Sequence, residues 1–203
     1  MSGFPKLKIC GVRDGAFARR AEELGVDYLG FIFAEKSPRY VAPDAAAAIA
    51  ATLGRAKLVG VFTTSTIDEI LEIARKIPLD VVQLHGRDYG ADEIFALRAD
   101  GLEVWQLESS GADAMLLDGT AADGQSGGTG LRADWKRAAD LAASGVRVVL
   151  AGGLSSANFG AAAATGCAVL DVNSSLEESP GVKSLALLDE LFRSIHGSAP
   201  SPG

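Results

Sequence analysis

Short apolar runs rich in β-branched residues alternate along the chain with alanine- and leucine-rich segments that have a helical period. The apolar runs predict β-strands at residues 7–10, 28–33, 58–62, 81–84, 102–107, 114–117, 146–150 and 169–172. The longer segments predict helices at residues 14–24, 43–53, 67–76, 91–99, 135–143, 158–164 and 185–195. Strands that alternate with helices in this way are typical of a parallel sheet covered by helices. Eight strands in this order predict an α/β fold, a single closed (β/α)8 TIM barrel.

A doubly wound parallel sheet is the alternative interpretation of the same alternation. That fold normally carries a glycine-rich fingerprint directly after its first strand. The segment after the first predicted strand, Cys10-Gly11-Val12-Arg13, lacks this spacing, so the barrel is favoured. We predict one barrel domain over residues 1–195 and expect a disordered tail at residues 196–203.

The connection between the fifth and sixth predicted strands is too short for a helix, because it contains only residues 108–113. A parallel crossover usually takes about a dozen residues. Six extended residues span roughly 20 Å, just enough to return along a short strand. We therefore predict that the helix between strands five and six is missing and that a loop replaces it. The alternative is that residues 102–117 form one irregular segment rather than two strands.

The composition excludes several classes of protein and of binding partner. The 203 residues are 48% hydrophobic and carry 19 basic against 26 acidic side chains, a net charge of −7. The apolar content excludes a disordered chain, and the acidic balance argues against nucleic acid as the main partner. Two cysteines do not make a disulfide framework. With neither a signal-peptide pattern nor an apolar run of about 18 residues, we expect a cytoplasmic protein without a membrane partner.

Polar residues are concentrated at the carboxyl ends of the predicted strands, where the catalytic groups of barrel enzymes lie. The polar residues and glycines at these ends are Cys10, Arg39, His85, Asp118, Gly152, Gly153, Asp171 and Asn173. Each also has a structural interpretation, such as a buried cysteine, a solvated arginine, a packed histidine or a turn residue. Because all of them converge on one rim of the predicted barrel, an active site is favoured over separate structural roles.

Strand alternation places Lys8 on the same face as Cys10, and Gln83 on the same face as His85. Lys8 is therefore predicted to point inward, one layer below Cys10. An ammonium group at that position would lower the pKa of the thiol and make Cys10 a better base.

The loops after the last two predicted strands have the composition of a phosphate site. Glycines let the backbone approach an anion closely, and N–H and hydroxyl groups then bind its oxygens. The candidate donors are Gly152, Gly153, Asn173, Ser174 and Ser175, with Gly128 and Thr129 in a separate glycine-rich stretch. The predicted partner is thus a phosphorylated small molecule, despite the negative net charge.

Short motifs between residues 7 and 183 carry a resemblance to a known family. They are Lys8-Ile9-Cys10-Gly11, Gly30-Phe31-Ile32-Phe33, Ser37-Pro38-Arg39-Tyr40-Val41, Val59-Gly60-Val61-Phe62, Val82-Gln83-Leu84-His85-Gly86, Leu116-Leu117-Asp118, Gly127-Gly128-Thr129-Gly130, Asp134-Trp135, Ala151-Gly152-Gly153-Leu154, Asp171-Val172-Asn173-Ser174-Ser175 and Pro180-Gly181-Val182-Lys183. With these motifs in this order, the chain resembles the phosphoribosylanthranilate isomerases of tryptophan biosynthesis.

The resemblance implies a (β/α)8 barrel that rearranges N-(5-phosphoribosyl)anthranilate, an aminoaldose, into an aminoketose without a cofactor or a metal. It implies that Cys10 is the general base and Asp118 the general acid. It also implies substrate-binding positions: Arg39 for the anthranilate carboxylate, His85, Asp171 for the ribose, and Gly128, Thr129, Gly152, Gly153, Asn173, Ser174 and Ser175 for the phosphate end, with Lys8 and Gln83 in support.

The chain departs from the family pattern at a few positions. Arg13 stands where Thr or Ser is usual, Ala133 where an aromatic residue is usual, Leu176 where Gly is usual, and Ser184 where Asp is usual. The family also has the helix that is predicted to be missing here. None of these differences removes the acid, the base or the carboxylate anchor.

Two other functions fit parts of the pattern. Another phosphate-binding barrel isomerase would use paired aspartates, which Cys10 disfavours. A non-catalytic binder of phosphorylated ligands would not need both Cys10 and Asp118. For the oligomeric state we expect a monomer, with a homodimer as the alternative.

Overall fold

The computed structural model describes residues 4–107, 111–119 and 134–197. Eight parallel strands form a closed barrel in chain order, which confirms the predicted fold class. They are β1 (Lys6–Cys10), β2 (Tyr28–Ile32), β3 (Lys57–Phe62), β4 (Val81–Leu84), β5 (Glu103–Leu107), β6 (Ala114–Leu117), β7 (Val148–Leu150) and β8 (Val169–Val172). The helices are α1 (Gly15–Glu23), α2 (Pro43–Ala50), α3 (Ile67–Lys76), α4 (Ala91–Ala99), α5 (Trp135–Ala143), α6 (Phe159–Ala163) and α7 (Leu185–Gly197). No helix in the described part of the chain is long and apolar enough to span a membrane.

The connection between β5 and β6 agrees with the prediction from its length. The two strands pair in parallel with Trp105 opposite Ala114, so they are separate strands, not one irregular segment. Residues 111–113, the described part of the connection, form bends and contain no helix.

The chain after β8 differs from the prediction in two ways. A two-stranded antiparallel hairpin, β9 (Glu177–Ser179) and β10 (Val182–Lys183), lies between β8 and α7, where no strand is predicted. Helix α7 also continues two residues past its predicted end, and in this last turn His196 Nδ1 lies 2.8 Å from the carbonyl oxygen of Phe192. The domain boundary at residue 195 therefore stays a prediction, and residues 198–203 lie outside the described residues.

Alternation along the strands divides the side chains between two cores. The outward residues pack against the helices in one large apolar cluster. The inward residues fill the lower barrel and are Tyr28, Val59, Val81, Trp105, Ala114, Leu116, Val149 and Val169. This filled interior leaves room for polar groups only toward the carboxyl end of the barrel.

Three aspartates tie strand pairs together at the amino end of the barrel. Asp27, Asp80 and Asp113 each precede an even-numbered strand and accept the N–H of a residue in the strand before it, Leu7, Leu58 and Val104 respectively, at 2.8–2.9 Å. Each aspartate also donates its own N–H to the carbonyl of the same residue. We call these three pairs the aspartate clamps. They satisfy strand-end N–H groups that would otherwise lack a partner.

The fourth strand pair has an alanine at the corresponding place. Ala168 donates its N–H to the Val148 carbonyl at 2.9 Å and has no carboxylate to accept in return. Ala168→Asp is therefore expected to raise the free energy of unfolding by about 1 kcal/mol, the net value of one such hydrogen bond. Urea denaturation followed by circular dichroism measures the change. Ala168→Leu serves as the control without a carboxylate, and an equal gain in that variant would contradict the explanation.

Candidate active site

A cavity at the carboxyl end of the barrel brings together most of the predicted site residues. Those that line it are Cys10, Arg39, Gln83, His85, Asp118, Gly152, Gly153, Asp171, Asn173 and Ser174. Lys8 lies beneath the cavity and is fully buried. Gly128 and Thr129 lie outside the described residues. The structure thus places the residues at one rim, while their roles stay predictions.

Cys10 occupies the last position of β1, with only 4% of its surface exposed. Gly30 of β2 lies opposite Cys10 in the register. A Cβ atom at residue 30 would lie 3.1 Å from Cys10 Sγ and 3.2 Å from Lys8 Cε, closer than most Cβ contacts. The glycine in β2 therefore provides the space that the Cys10 and Lys8 side chains occupy inside the barrel.

Lys8 forms a buried ion pair with Asp171 of β8, with Nζ 2.5 Å from Oδ2. Burial alone would lower the pKa of Lys8, but the charges of Asp171 and Cys10 raise it above its usual value. Lys8 therefore lies one layer below Cys10, as alternation predicts, and stays an ammonium.

The predicted effect of Lys8 on Cys10 is present, but it does not decide the pKa of the thiol. Burial raises the pKa of the Cys10 thiol above its ordinary value; the charge of Lys8 lowers it only in part, and Asp171 raises it further. Alternation identifies the lysine but not the carboxylate that offsets its charge. A raised pKa lowers the fraction of Cys10 that is ionised, but it makes the thiolate a stronger base.

Replacing Lys8 with methionine is expected to raise the pKa of Cys10 further, since it removes the ammonium that favours the thiolate. Alkylation requires the thiolate, so the pH profile of Cys10 alkylation should move to higher pH. Mass spectrometry of peptides after iodoacetamide treatment at a series of pH values measures the rate at Cys10. Cys167, in the same digest, is the internal control. Coincident Cys10 profiles in the wild type and Lys8→Met would contradict this role of Lys8.

His85 and Asp118 form the other acid–base pair of the cavity. His85 follows β4 and Asp118 follows β6, and both side chains are about nine-tenths buried. His85 Nε2 lies 3.4 Å from Asp118 Oδ2. The imidazole is thus placed to orient the carboxyl group toward a ligand in the cavity.

Arg39 meets a partner that the sequence did not indicate. Its Nε lies 2.9 Å from Glu177 Oε1, and its Nη2 lies 2.8 Å from Glu177 Oε2. Glu177 belongs to the hairpin β9–β10, and Lys183 of the same hairpin donates to its Oε1 at 3.0 Å. Burial would raise the pKa of Glu177, but Arg39 and Lys183 hold it below its ordinary value. Glu177 therefore stays a carboxylate between two cations.

The bond to Glu177 leaves part of Arg39 for a ligand. A guanidinium has five N–H donors, and Glu177 accepts from the side that carries Nε and Nη2. The far edge of the guanidinium consists of Nη1 and the second N–H of Nη2, and it has no partner among the described residues. Because Glu177 fixes the guanidinium plane, the direction of this edge is fixed as well. Such an edge binds a carboxylate through two parallel hydrogen bonds.

The predicted phosphate end divides into residues that line the cavity and one that does not. Gly152 and Gly153 line it with φ angles of 89° and 66°, the left-handed region that favours glycine. Asn173 and Ser174 line it as well. Ser175 does not line it, and its hydroxyl donates to the Leu154 carbonyl at 2.6 Å, so its contact with a phosphate stays a prediction.

Two buried oxygen atoms on the cavity floor lack a donor. Gln83 Oε1 and Asp171 Oδ1 are both inaccessible and have no hydrogen-bond partner within the described ranges. Buried acceptors are normally satisfied, so these two oxygens are an exception that marks the floor of the cavity as polar. No group of three His, Cys, Asp or Glu side chains among the described residues is placed to hold a metal ion.

Several residues around this cavity have no predicted role. Thr63 lines the cavity from the loop after β3. Glu177 and Lys183 come from a hairpin that is not part of the alternating pattern. Lys183 is the last residue of one of the motifs quoted above, and that motif was the only indication in the sequence that the hairpin takes part in the site. Glu177 had none, since it does not follow a strand of the barrel.

The fold and the cavity define a (β/α)8-barrel enzyme with acid–base groups and anion-binding groups around one site. The family model described as N-(5'-phosphoribosyl)anthranilate (PRA) isomerase matches residues 7–194. The chain belongs to this isomerase family, which confirms the resemblance and the predicted enzyme class.

Relatives and solved structures agree with this membership. The N-(5'-phosphoribosyl)anthranilate isomerase of Allorhizobium ampelinum is 36% identical, with 98% of each chain covered. A crystal structure of phosphoribosyl anthranilate isomerase from Thermus thermophilus is 35% identical, has a TM-score of 0.86, and matches 96% of this chain and 100% of its own. Another isomerase structure, in complex with reduced 1-(o-carboxyphenylamino)-1-deoxyribulose 5-phosphate, is 25% identical with a TM-score of 0.75 and covers 95% of this chain and 99% of its own.

Proposed function

We propose that the chain converts N-(5-phosphoribosyl)anthranilate into 1-(o-carboxyphenylamino)-1-deoxyribulose 5-phosphate, a step of tryptophan biosynthesis, with Cys10 as general base and Asp118 as general acid. The observation that carries the proposal is that both residues line one cavity, which Arg39 and the Gly152–Gly153 loop also line. The family membership and the names of the relatives support the same reaction.

The rearrangement needs an acid and then a base. In the first step Asp118 protonates the ring oxygen, the bond from C1 to that oxygen breaks, and the nitrogen lone pair forms a Schiff base. In the second step Cys10 removes the C2 proton, and the electron pair moves to the nitrogen to give an enolamine. Tautomerisation of the enolamine yields the ketone. Each transfer needs a side chain within hydrogen-bond reach of the reacting atom.

The remaining cavity residues fit the rest of the substrate. The far edge of Arg39 suits the carboxylate of the anthranilate ring. Gln83 and Asp171 line the cavity and carry acceptor oxygens, which suit the donor hydroxyls of the sugar. The phosphate then lies at Gly152 and Gly153, with Asn173 and Ser174 beside them.

A direct assay tests the proposal. Phosphoribosylanthranilate is made in situ from anthranilate and phosphoribosyl pyrophosphate, and its fluorescence is followed after the protein is added. We expect decay far faster than the spontaneous rate, with heat-denatured protein as the control. Decay at the spontaneous rate would refute the assignment.

We further propose that the chain acts as a monomer in the cytoplasm on this phosphorylated substrate. Among the described residues only four large apolar side chains are exposed, those of Phe4, Phe95, Val182 and Leu185, which supports a monomer. Analytical ultracentrifugation at assay concentrations measures the mass, and the mass of a dimer would overturn this part of the proposal.

A further inference from the structure

The hairpin β9–β10 builds a buried charge cluster against the cavity, and this inference about it rests on the proposed function. The cluster is Arg39, Glu177 and Lys183. The exposed fractions of their side chains are 10% for Arg39, 3% for Glu177 and 2% for Lys183. Arg39 lines the cavity, whereas the other two lie behind it.

Lys183 has the surroundings of an ammonium, although burial lowers its pKa below the ordinary value and Glu177 raises it only in part. Its Nζ lies 2.9 Å from the Asn173 carbonyl oxygen, 2.8 Å from Asn173 Oδ1 and 3.0 Å from Glu177 Oε1. Three acceptors match the three N–H groups of an ammonium, whereas a neutral amine has two. With Arg39 always protonated, the cluster holds two cations and one carboxylate.

Glu177 does two opposing things to Arg39. Its two oxygens fix the guanidinium plane through Nε and Nη2. Because the two groups are in contact, the negative charge of Glu177 also offsets the positive charge of Arg39. The pair alone would therefore attract a ligand carboxylate only weakly. The second cation, 3.0 Å from Glu177 Oε1, restores the balance.

We propose that Lys183 determines specificity for an anionic arylamine: it offsets Glu177, so that Arg39 is held in place and its charge remains available to the ortho-carboxylate of the substrate. The cluster is then neutral only when that carboxylate is bound. Because the excess charge lies in a buried cluster, it discriminates strongly between a charged ligand and its neutral counterpart.

Two ligands that differ only in the carboxylate test this role. They are reduced 1-(o-carboxyphenylamino)-1-deoxyribulose 5-phosphate and the same compound with a phenyl ring in place of the carboxyphenyl ring. Isothermal titration calorimetry gives the Kd of each, and the ratio of the two values measures selection for the carboxylate. In Lys183→Met we expect this ratio to fall on the order of tenfold, with little change in the Kd of the ligand that lacks the carboxylate.

A double variant separates charge from structure. Glu177→Gln with Lys183→Met removes one charge of each sign, so Arg39 again supplies one positive charge in excess. We expect the double variant to regain most of the ratio that the single variant loses. Lys36→Met is the matched control, because Lys36 is an exposed lysine in the loop after β2 and its loss should leave the ratio unchanged.

The outcomes are distinguishable. Equal weakening of both ligands in Lys183→Met, or a double variant no better than the single one, would overturn the role of Lys183. If Lys183→Met does not fold, the double variant carries the test, and a ratio that falls there as well overturns it. Absence of turnover by the wild type would instead refute the proposed function, so that assay is done first.

Discussion

Replacing Cys10 with alanine is expected to lower kcat by about 10²–10⁴-fold, the usual contribution of one general base. The thiol lies at the end of β1 in the cavity, and the other cysteine, Cys167, lies just before β8, at the opposite end of the barrel. Without the thiolate, the C2 proton has no base to receive it. The affinity for the reduced product analogue should change little, because alanine removes only one sulfur atom. Steady-state kinetics and calorimetry on the same preparation measure both quantities.

Cys167→Ala is the matched control for this experiment. Cys167 is buried before β8, so its replacement should leave kcat unchanged within a few-fold. Full activity in Cys10→Ala would contradict the assignment of the base. A parallel loss of kcat and of analogue affinity in Cys10→Ala would point to a disturbed cavity instead of a missing base.

Replacing Asp118 with asparagine is expected to cost a similar factor, about 10²–10⁴-fold in kcat, since the carboxamide has the shape of the carboxyl group but cannot transfer the proton to the ring oxygen. Asparagine can still reach His85, which lies 3.4 Å from the native carboxylate. The loss should therefore appear in kcat, while KM changes little. The fluorescence assay at several substrate concentrations separates the two.

The control for Asp118 removes the same charge elsewhere. Asp92 lies exposed in the first turn of α4, and Asp92→Asn should keep full activity. A fully active Asp118→Asn would show that another group is the acid. His85 would then be the first residue to replace, because it is the titratable side chain beside Asp118 in the cavity.

Periodicity was sufficient to predict the barrel. The short apolar runs and the segments of helical period have the same order in the sequence as the strands and helices in the structure, and the connection at residues 108–113 is too short for a helix. Element ends were less accurate. Strand β7 begins at Val148, two residues after its predicted start, and its register with β6 begins there, with Val148 opposite Met115.

The prediction of the site rests on one rule, that the catalytic groups of a barrel lie at the carboxyl ends of its strands. The prediction is incomplete for residues that do not lie at those strand ends. Glu177 and Lys183 lie on a hairpin outside the repeat, so no strand end indicated them. Ser175 lies in the turn Ser174–Leu176, where its hydroxyl donates to the Leu154 carbonyl, a contact that strand ends do not predict. The direction of the Cys10 pKa depends on burial and on a carboxylate far along the chain, which local pattern does not contain.

The aspartate clamps have a consequence for the order in which the molecule assembles. They join residues that are 20, 22 and 9 positions apart, so they can form as each strand pair leaves the ribosome. Contacts of short sequence separation form early in folding. The seam between β8 and β1 has no such local contact, and its ion pair between Lys8 and Asp171 spans 163 positions. We expect this seam to close last, so that the polar floor beneath Cys10 is completed by the final step of folding.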